Sequence, residues 1–598
     1  MNNGVLFLIK ALFEKTLKSV RENGIKMTVY KIKNWIKKFL PQKRLKRKFN
    51  ITQQQRTAEQ GYKFERDIKI SILVPLYNTP LKLLKEMVAS VINQTYPNWE
   101  LCMADGSDLE HNYVGEYCQQ LMQADSRIIY KKLDSNRGIS ENTNVCIDIS
   151  TGEYLGLFDH DDLLHPSALF EIIKAICEKN ADFIYTDEDK FTRNPNNSFD
   201  PNFKPDFSID TLRSYNYICH FTVFSRKLMD RVGRFRSTFD GSQDYDMILR
   251  LTEIAETIIH IPKILYYWRF HTTSVAYDIS AKPYTLKAAK EALAEHLQRC
   301  GIEGSVLDSK VPSTYRIEYK IENEPLVSII IPNKDHIDDL KKCIDSVESL
   351  SEYKNKEIII VENNSTETAT FEYYNEITAV KRNIKVIYWD GVFNYSRINN
   401  FAVGHAQGKY LLFLNNDIEV ITPRWIENML MFCQRSDVGA AGAMLYYPDD
   451  TVQHAGVIVG LGSVAGHSHK YYRRGESGFM LRMTIAQNLS AVTAACMMVR
   501  RDVFQLVGGF DEEYAVAFND VDLCMKIRKA GYLIVWTPYA ELYHYESKSR
   551  GADDSPDKKK RFNSEVALFQ SRWATELETG DPYYNPNLTL DKEDFSIR

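Results

Sequence analysis

Residues 152–162 read Gly-Glu-Tyr-Leu-Gly-Leu-Phe-Asp-His-Asp-Asp, and residues 408–417 read Gly-Lys-Tyr-Leu-Leu-Phe-Leu-Asn-Asn-Asp. Each stretch begins with a short apolar run that is typical of a buried strand and ends in polar side chains. The first ends in three carboxylates, whereas the second keeps only the last one, Asp417. Ligands of α/β proteins bind beyond the carboxyl ends of strands, so both stretches predict a ligand site.

The same correspondence recurs elsewhere in the chain. Residues 70–77, Ile-Ser-Ile-Leu-Val-Pro-Leu-Tyr, match residues 327–332, Val-Ser-Ile-Ile-Ile-Pro. Residues 99–107 match residues 356–365, each a strand closed by a polar turn. The pairs occur in one order and at a nearly constant offset. They therefore indicate a duplicated domain rather than a short-period repeat.

Helical stretches separate the matched strands. Residues 81–93 carry Leu84, Val88, Val91 and Ile92 at helical spacing. Alternation of strand and helix predicts a parallel sheet with helices on both faces, and hence an α/β fold. We place the linker between the copies in residues 301–325. The predicted divisions are a basic N-terminal arm (1–65), a first domain (66–310), a second domain (322–575) and a C-terminal tail (576–598).

The composition excludes several classes of protein. The chain has 598 residues, of which 44% are hydrophobic and 26% charged, which excludes wholesale disorder. Ten cysteines without a CxxC pair predict reduced thiols in a cytosolic protein. No apolar run approaches the roughly 18 residues of a membrane span. The first residues also lack the small-residue cleavage site of a secretory signal.

Residues 1–50 are strongly basic, with 14 Lys or Arg against two Glu, whereas the rest of the chain is acidic. Ile32, Trp35, Ile36, Phe39 and Leu40 have the spacing of one helix face. Such a basic amphipathic helix is typical of segments that lie on an anionic membrane. A helix packed on the next domain is the alternative. Nucleic-acid binding is disfavoured by the acidic remainder. We expect residues 1–49 to make peripheral membrane contact.

Asp159, Asp161 and Asp162 place three carboxylates within four residues. Like charges this close repel each other unless a cation lies between them. Oxygen ligands favour Mg²⁺ or Mn²⁺, which also bind substrate phosphates. A helix cap is the alternative, but one Asp is enough for a cap. The sequence therefore predicts a divalent-cation site at this turn.

A second acidic cluster opens a helix-like run in each copy. Asp244 lies in Gln-Asp-Tyr-Asp (243–246), and Asp520 lies in Asn-Asp-Val-Asp (519–522). A carboxylate at a helix N-terminus can accept a proton from an attacking hydroxyl, although an ordinary cap is the alternative. A histidine follows each cluster, His271 and His544. Each either completes a metal site or is a buried imidazole.

These features together resemble the family two glycosyltransferases of the GT-A fold. The first copy contributes Val-Pro-Leu-Tyr-Asn (74–78), Asp-Gly-Ser (105–107) and the DxD-type Asp-His-Asp (159–161). Further motifs of the second copy are Phe-Asn-Tyr-Ser (393–396), Asn-Asn (399–400), Gly-Gly-Phe-Asp-Glu (508–512) and Phe-Asn-Asp (518–520). The resemblance covers most of the chain and implies two tandem GT-A (nucleotide-diphospho-sugar transferase, Rossmann-like) domains. The chain is similar to tandem enzymes of bacterial surface polysaccharide assembly, such as those of O-antigen and capsule synthesis.

The resemblance also implies roles for individual residues. The general bases would be Asp244 and Asp520. The metal ligands would be Asp159, Asp161, His271, Asp417 and His544. The nucleotide-sugar contacts would be Pro75, Tyr77, Asp105, Asp159, Pro332, Glu362, Asn363 and Asn415. Trp268 and Arg269 would bind the acceptor. The second copy departs from the pattern twice, because Asn415 replaces the first DxD carboxylate and Glu362 replaces the usual Asp.

The function implied by this resemblance is that of a bifunctional, metal-dependent, inverting hexosyl- or deoxyhexosyltransferase. Its donors would be UDP- or dTDP-linked sugars, and its acceptor a polyprenyl-linked glycan at the cytoplasmic face of the plasma membrane. The alternative is one catalytic copy plus a degenerate glycan-binding or structural domain, with the Asn415 copy as the degenerate one. A non-enzymatic polysaccharide-binding scaffold leaves two carboxylate sets unexplained. A nucleotidyltransferase would need a glycine-rich basic loop that does not follow the first strand.

Overall fold

A computed structural model describes residues 49–270, 283–546 and 555–598 of the chain. The basic arm up to residue 48 lies outside the described residues. So do His271 and the rest of 271–282. None of the helices within the described ranges combines the length and apolar character needed to cross a bilayer.

The first domain is built on one mixed sheet. Its strands are β1 (Ile70–Leu76), β2 (Trp99–Asp105), β3 (Ile128–Lys132), β4 (Tyr154–Leu157), β5 (Leu163–Leu164), β6 (Phe183–Phe191), β7 (Thr222–Ser225) and β8 (Ile258–Arg269). Its helices are α1 (Gln53–Gly61), α2 (Leu81–Ile92), α3 (Tyr113–Ala124), α4 (Ile139–Asp148), α5 (Ala168–Lys179), α6 (Ile209–Ser214), α7 (Arg226–Val232), α8 (Gln243–Ile254) and α9 (Pro283–Arg299). The strand order is β3-β2-β1-β4-β7-β6-β8-β5.

The second domain repeats this order as β13-β12-β11-β14-β21-β16-β22-β15. Its strands are β11 (Val327–Asn333), β12 (Lys356–Glu362), β13 (Ile384–Tyr388), β14 (Tyr410–Leu414), β15 (Ile418–Val420), β16 (Val438–Tyr446), β17 (Val452–His454), β18 (Val457–Val459), β19 (Ala465–His467), β20 (Gln487–Leu489), β21 (Cys496–Arg500) and β22 (Leu533–His544). Its helices are α10 (Ile337–Leu350), α11 (Thr368–Val380), α12 (Tyr395–His405), α13 (Trp425–Cys433), α14 (Arg501–Leu506), α15 (Asn519–Lys529), α16 (Pro556–Arg572) and α17 (Ala574–Thr579). The predicted duplication is confirmed.

The predicted parallel arrangement holds for only part of each sheet. Strands β1 to β4 and β11 to β14 pair in parallel, joined by the predicted crossover helices. Strands β7 and β21 run antiparallel to both neighbours, and β5 and β15 pair antiparallel with β8 and β22. An antiparallel pair needs no crossover helix, so the spacing of helices did not reveal it.

The segment expected to be a linker folds as a hairpin of β9 (Gly304–Asp308) and β10 (Tyr315–Tyr319). The Tyr315 hydroxyl donates to the carbonyl of Leu286 in α9, and Arg316 donates to Asn428 in α13 at 2.9 Å. The alternating buried positions of β10 indicate a strand with one face packed against the protein. The hairpin therefore contacts both domains.

The C-terminal segment also lies against both domains. Asn585 donates to Asp187 of β6 at 2.8 Å, and Ser490 of the second domain donates to Asp581 at 2.5 Å. Asp581 and Asn585 are both buried. The segment predicted as a tail thus forms part of the contact between the domains.

Candidate active sites

A cavity of about 580 Å³ lies at the carboxyl ends of β11, β12 and β14. This is where the two duplicated strand motifs predict a ligand site. The predicted residues that line it are Pro332, Asn363, Asn415, Asp417, Asp520 and His544. Asp417 and Asp520 lie more than a hundred residues apart in the sequence, so the fold brings them together.

His544 and Asp417 meet at the wall of this cavity. The His544 Nε2 atom lies 3.2 Å from Asp417 Oδ1 and 3.2 Å from the Asn415 side-chain amide. Gln453 donates its amide N–H to the Glu546 carboxylate at 2.9 Å, so its oxygen faces His544 Nδ1 at 2.8 Å. His544 then donates from Nδ1 and presents the Nε2 lone pair beside a carboxylate. That donor set fits a divalent cation.

Asp520 lies in the first turn of α15, at the cavity wall. Its Oδ2 atom accepts the backbone N–H of Ala494 at 3.0 Å, and its Oδ1 atom accepts the N–H of Val521 at 2.9 Å. These two N–H groups fix the direction of the carboxylate. The predicted base is therefore held in place before an acceptor binds.

Glu362 closes the polar turn after β12. Its Oε2 atom accepts hydrogen bonds from the hydroxyls of Ser365 and Tyr374, both at 2.7 Å. The neighbouring Asn363 donates to the carbonyls of Trp389 and Gly391 at 3.1 and 3.0 Å. Glu362 therefore shapes the loop that presents Asn363 to the cavity. This accommodates the longer side chain that the second copy has in place of Asp.

Asp105 has the same structural position at the end of β2. It accepts the backbone N–H of Ser107 at 2.8 Å, the hydroxyl of Tyr130 at 2.8 Å and the ammonium of Lys132 at 3.1 Å. Pro75 lies near the end of the adjacent β1, and Tyr77 follows that strand with 49% of its surface exposed. The first-copy residues predicted to bind nucleotide thus gather at neighbouring strand ends.

In the first domain, Asp159 and Asp161 follow β4, and the next carboxylate, Asp162, points into the protein. Asp162 accepts the backbone N–H of Arg269 at 2.6 Å and the hydroxyl of Tyr266 at 2.5 Å. Burial, together with the neighbouring Asp161 and Asp159, raises the pKa of Asp162 well above its usual range. Asp162 anchors the turn, and Asp159 and Asp161 remain the predicted metal ligands.

Arg269, which was predicted to bind the acceptor, lies buried under the acidic turn. Only 6% of the side chain is exposed. Its Nε donates to the carbonyl of Asp161 at 2.6 Å, and its Nη2 pairs with Glu86 at 2.8 Å. Arg269 thus holds the acidic turn from beneath, and its contacts with Glu86 and with that turn keep the side chain directed inward. Its half-buried neighbour Trp268 remains the acceptor candidate.

Asp244 lies in the first turn of α8, where Asn216 donates to its Oδ2 atom at 2.9 Å. Burial raises the pKa of Asp244, and the nearby His220 opposes this rise. The His220 Nε2 atom is 3.7 Å from Asp159 Oδ2, and its ring stacks on Tyr266 with centroids 4.6 Å apart. His220 therefore lies between the predicted base and a predicted metal ligand.

Sequence reasoning missed several residues around the sites. His220 carries no motif, and it reaches Asp159 only through the fold. Gln453, His454, His467 and Glu546 surround the second cavity. The signal that could have found them is the presence of three histidines, at 454, 467 and 469, between β16 and β21. The corresponding residues 192–221 of the first copy contain only His220.

Comparisons with known proteins bear on these sites. A family model described as "Glycosyl transferase family 2" matches residues 71–233 and 328–508. The "Uncharacterized protein y4gI" of Sinorhizobium fredii is 44% identical over 88% of this chain and 58% of its own length. The "O-antigen biosynthesis protein RfbC" of Myxococcus xanthus is 37% identical over 88% of this chain and 41% of its own length. The chain thus spans about half the length of these relatives.

Among solved structures, a mannosyltransferase, PcManGT from Pyrobaculum calidifontis in complex with GDP-Man and Mn²⁺, is similar over 44% of this chain and 67% of its own. The identity is 16% and the TM-score 0.32.

Proposed function

The chain belongs to glycosyl transferase family 2, and we propose that both of its domains, residues 66–310 and 322–575, are catalytic. Both domains have the GT-A-like α/β fold. Each would transfer a sugar from a nucleotide-diphosphate donor to a growing bacterial surface polysaccharide. The relatedness to an O-antigen biosynthesis protein supports this pathway.

The observation that carries the proposal is the arrangement of Asp417, His544 and Asp520 around one cavity. A carboxylate and an imidazole 3.2 Å apart suit a cation, and an oriented carboxylate at a helix N-terminus suits a base. The cavity opens at strand ends, where a nucleotide binds in this class of sheet. The set in the second domain is therefore complete despite Asn415.

The residues would act together in a single displacement by one acceptor hydroxyl. Asp520 accepts the proton of the acceptor hydroxyl while the oxygen of that hydroxyl attacks the anomeric carbon of the donor sugar. Asp417 and His544 would hold a Mg²⁺ or Mn²⁺ ion, which, when bound, neutralises the charge developing on the diphosphate. Attack from the face opposite the leaving group inverts the anomeric centre in one displacement. In the first domain, Asp244 would be the base, and Asp159 and Asp161 the metal ligands.

The proposed donors are UDP- or dTDP-linked hexoses or deoxyhexoses, and the proposed acceptor is a polyprenyl-linked glycan. The basic amphipathic pattern of residues 1–49 supports peripheral contact with the inner face of the plasma membrane. Such contact would bring a lipid-linked acceptor to both domains.

The deciding experiment measures nucleoside diphosphate release from a panel of nucleotide sugars with Mn²⁺ or with EDTA, in the presence of a lipid-extract acceptor. It compares wild type with Asp161→Ala and Asp417→Ala. Asp230→Ala and Asp345→Ala are the matched controls, since both carboxylates are exposed on helices outside the predicted sites.

We expect each site variant to lose turnover of a different donor, while both controls keep all of it. If Asp417→Ala leaves every activity intact and Asp161→Ala removes every one, the second domain is not catalytic. If EDTA leaves turnover unchanged, the metal assignment is wrong.

A further inference from the structure

The connection between β16 and β21, residues 447–495, is longer than its first-domain counterpart, residues 192–221. Its first part, residues 447–472, runs along the rim of the cavity in the second domain, where Gln453, Val457 and His467 are lining residues. The second site therefore has a wall that the duplication alone does not explain.

Two tyrosines of this segment form a shelf with Lys470. The rings of Tyr447 and Tyr471 are stacked, with centroids 5.5 Å apart and planes inclined by 11°. The Lys470 Nζ atom lies 5.3 Å from the centre of the Tyr471 ring. Tyr471 is 66% exposed. Its backbone has a φ of 64°, a left-handed conformation that is unfavourable for a bulky residue. The fold therefore holds an aromatic face in solvent.

The shelf is connected to the cavity by hydrogen bonds. The Tyr447 hydroxyl donates to Glu546 Oε2 at 3.2 Å, and Glu546 is a lining residue of the cavity. Gln453 also donates to that oxygen and contacts His544 through its own oxygen. The shelf is thus joined through Glu546 and Gln453 to His544, a predicted metal ligand.

His467 contributes a hydrogen-bond donor of fixed direction. The backbone N–H of Thr493 can only donate, and it donates to His454 Nε2 at 3.4 Å. His454 must therefore carry its proton on Nδ1, which lies 2.8 Å from His467 Nδ1. His467 accepts there, so its own proton is on Nε2. Within the described ranges that nitrogen makes no protein hydrogen bond, and the residue lines the cavity.

The position of these groups favours an acceptor over a nucleotide. The N–H of Thr493 donates to His454, the partner of His467, and the N–H of the next residue, Ala494, donates to Asp520. Asn333 and Asn363 border the cavity from the strand ends β11 and β12, where a nucleotide is expected. His467 therefore lies beside the proposed base, where an acceptor hydroxyl is expected.

We propose that Tyr447, His467, Lys470, Tyr471 and Glu546 form a subsite that binds one hexopyranose unit of the acceptor glycan. This proposal rests on the proposed transferase function. A pyranose ring has an apolar C–H face and a rim of hydroxyls, so it suits an exposed aromatic ring flanked by polar groups. The sugar stacks on Tyr471, one hydroxyl accepts from His467 Nε2–H, and another donates to Glu546.

Saturation-transfer NMR with the methyl glycosides of glucose, galactose, mannose and rhamnose tests the subsite directly on the full chain. We expect at least one pyranoside to receive saturation from wild type. We expect about tenfold weaker binding to Tyr471→Ala, as for loss of one aromatic anchor. Tyr62→Ala is the matched control, because Tyr62 is 50% exposed and stacks near Phe64, away from either site.

The histidine is tested by a conservative pair of variants. His467→Gln keeps an N–H donor and should retain pyranoside binding, whereas His467→Ala should lose it. The proposal is overturned if no pyranoside receives saturation, or if Tyr471→Ala binds as wild type does. Nucleoside diphosphate release by wild type is recorded separately. Its absence would contradict the transferase function, while pyranoside binding would still decide the subsite.

Discussion

Asp210 of the first domain and Arg435 of the second form an ion pair in which only 1% and 8% of the side chains are exposed. Asn488 donates to the second carboxylate oxygen of Asp210 at 2.7 Å, and the Arg435 guanidinium lies 5.2 Å from the centre of the Tyr319 ring. The charges are thus paired inside the protein rather than at its surface. The two domains share a buried polar interface.

Removing one partner of this pair should be costly. Asp210→Ala leaves the buried Arg435 charge with only the half-exposed Asp437 carboxylate, at 2.6 Å, and breaking a buried pair costs about 3–5 kcal/mol. We expect a clearly lower midpoint of urea unfolding, followed by tryptophan fluorescence. The control is Asp502→Ala, which removes a carboxylate that is 64% exposed beside Arg500. A surface pair of this kind contributes about 1 kcal/mol at most. Equal midpoints for the two variants would show that the interface pair is not structural.

Asp244 should combine a functional role with a stability cost. Burial raises its pKa above the usual 3.8, so the folded protein binds this proton more tightly than the unfolded chain does. Ionised Asp244 therefore lowers stability as the pH rises above the usual carboxyl range, and this cost is absent below it. We expect Asp244→Asn to raise the melting temperature at pH 7.5 but not near pH 3.5, and to lose first-domain transfer.

Thermal unfolding at the two pH values tests this expectation, with the exposed Asp230→Asn as control. A melting temperature for Asp244→Asn that falls at pH 7.5 would mean that ionised Asp244 stabilises the fold. That result would contradict the assignment of burial as the main cause of the raised pKa of Asp244.

Lys204 supports the loop that carries His220. Its ammonium is fully buried and donates to Glu188 at 3.1 Å, to the carbonyl of Ile218 at 2.6 Å and to the carbonyl of His220. Lys204→Met should leave Glu188 uncompensated, at a cost of about 3–5 kcal/mol, and displace His220 from Asp159. We expect loss of first-domain turnover with second-domain turnover kept.

Donor-specific nucleoside diphosphate release measures that selectivity. Lys174→Met is the control, since Lys174 pairs with Glu178 on the surface of α5, with 44% of the lysine side chain accessible. Equal losses in both domains would mean that Lys204 acts on the whole fold rather than on the His220 loop.

The sequence predicted the parts of the fold that depend on local pattern. The strands that end at Leu76 and Asn333 were predicted from short, largely apolar runs rich in β-branched residues. Asp417 was predicted at a ligand site because it follows a strand end, whereas the role of Asp520 as base of that domain was implied by the family resemblance. The strand predictions need only the local sequence pattern, and the duplication presents that pattern in both copies.

Other features depend on contacts between distant segments and left no local sign. The inward direction of Arg269 is decided by Glu86 and by the acidic turn, which are far from it in sequence. His467 became a fixed donor through His454 and Thr493, on two other segments. Residues 301–325 contain glycine and proline, which suggested a linker, but tertiary packing made a hairpin there.

The basic arm should govern membrane recovery. Residues 1–49 carry the charge excess and the amphipathic pattern, and each basic side chain near an anionic surface contributes about 1 kcal/mol. Deleting residues 1–49 should move the protein from sedimented anionic vesicles to the supernatant, whereas neutral vesicles should retain neither form. Unchanged recovery on anionic vesicles would contradict the membrane assignment.

Asn415 offers a way to strengthen the second metal site. It stands where the first copy has the carboxylate Asp159, and its amide lies 3.2 Å from His544 Nε2, beside Asp417. Affinity for hard cations rises with the number of charged oxygen ligands, so Asn415→Asp should bind Mn²⁺ about tenfold more tightly. His544→Gln should weaken binding. Titration calorimetry with Mn²⁺ measures both, and the exposed Asp345→Asn provides the control. A carboxylate beside the ion adds negative charge to the site. Unchanged or weaker Mn²⁺ binding by Asn415→Asp would therefore contradict the placement of residue 415 beside the ion.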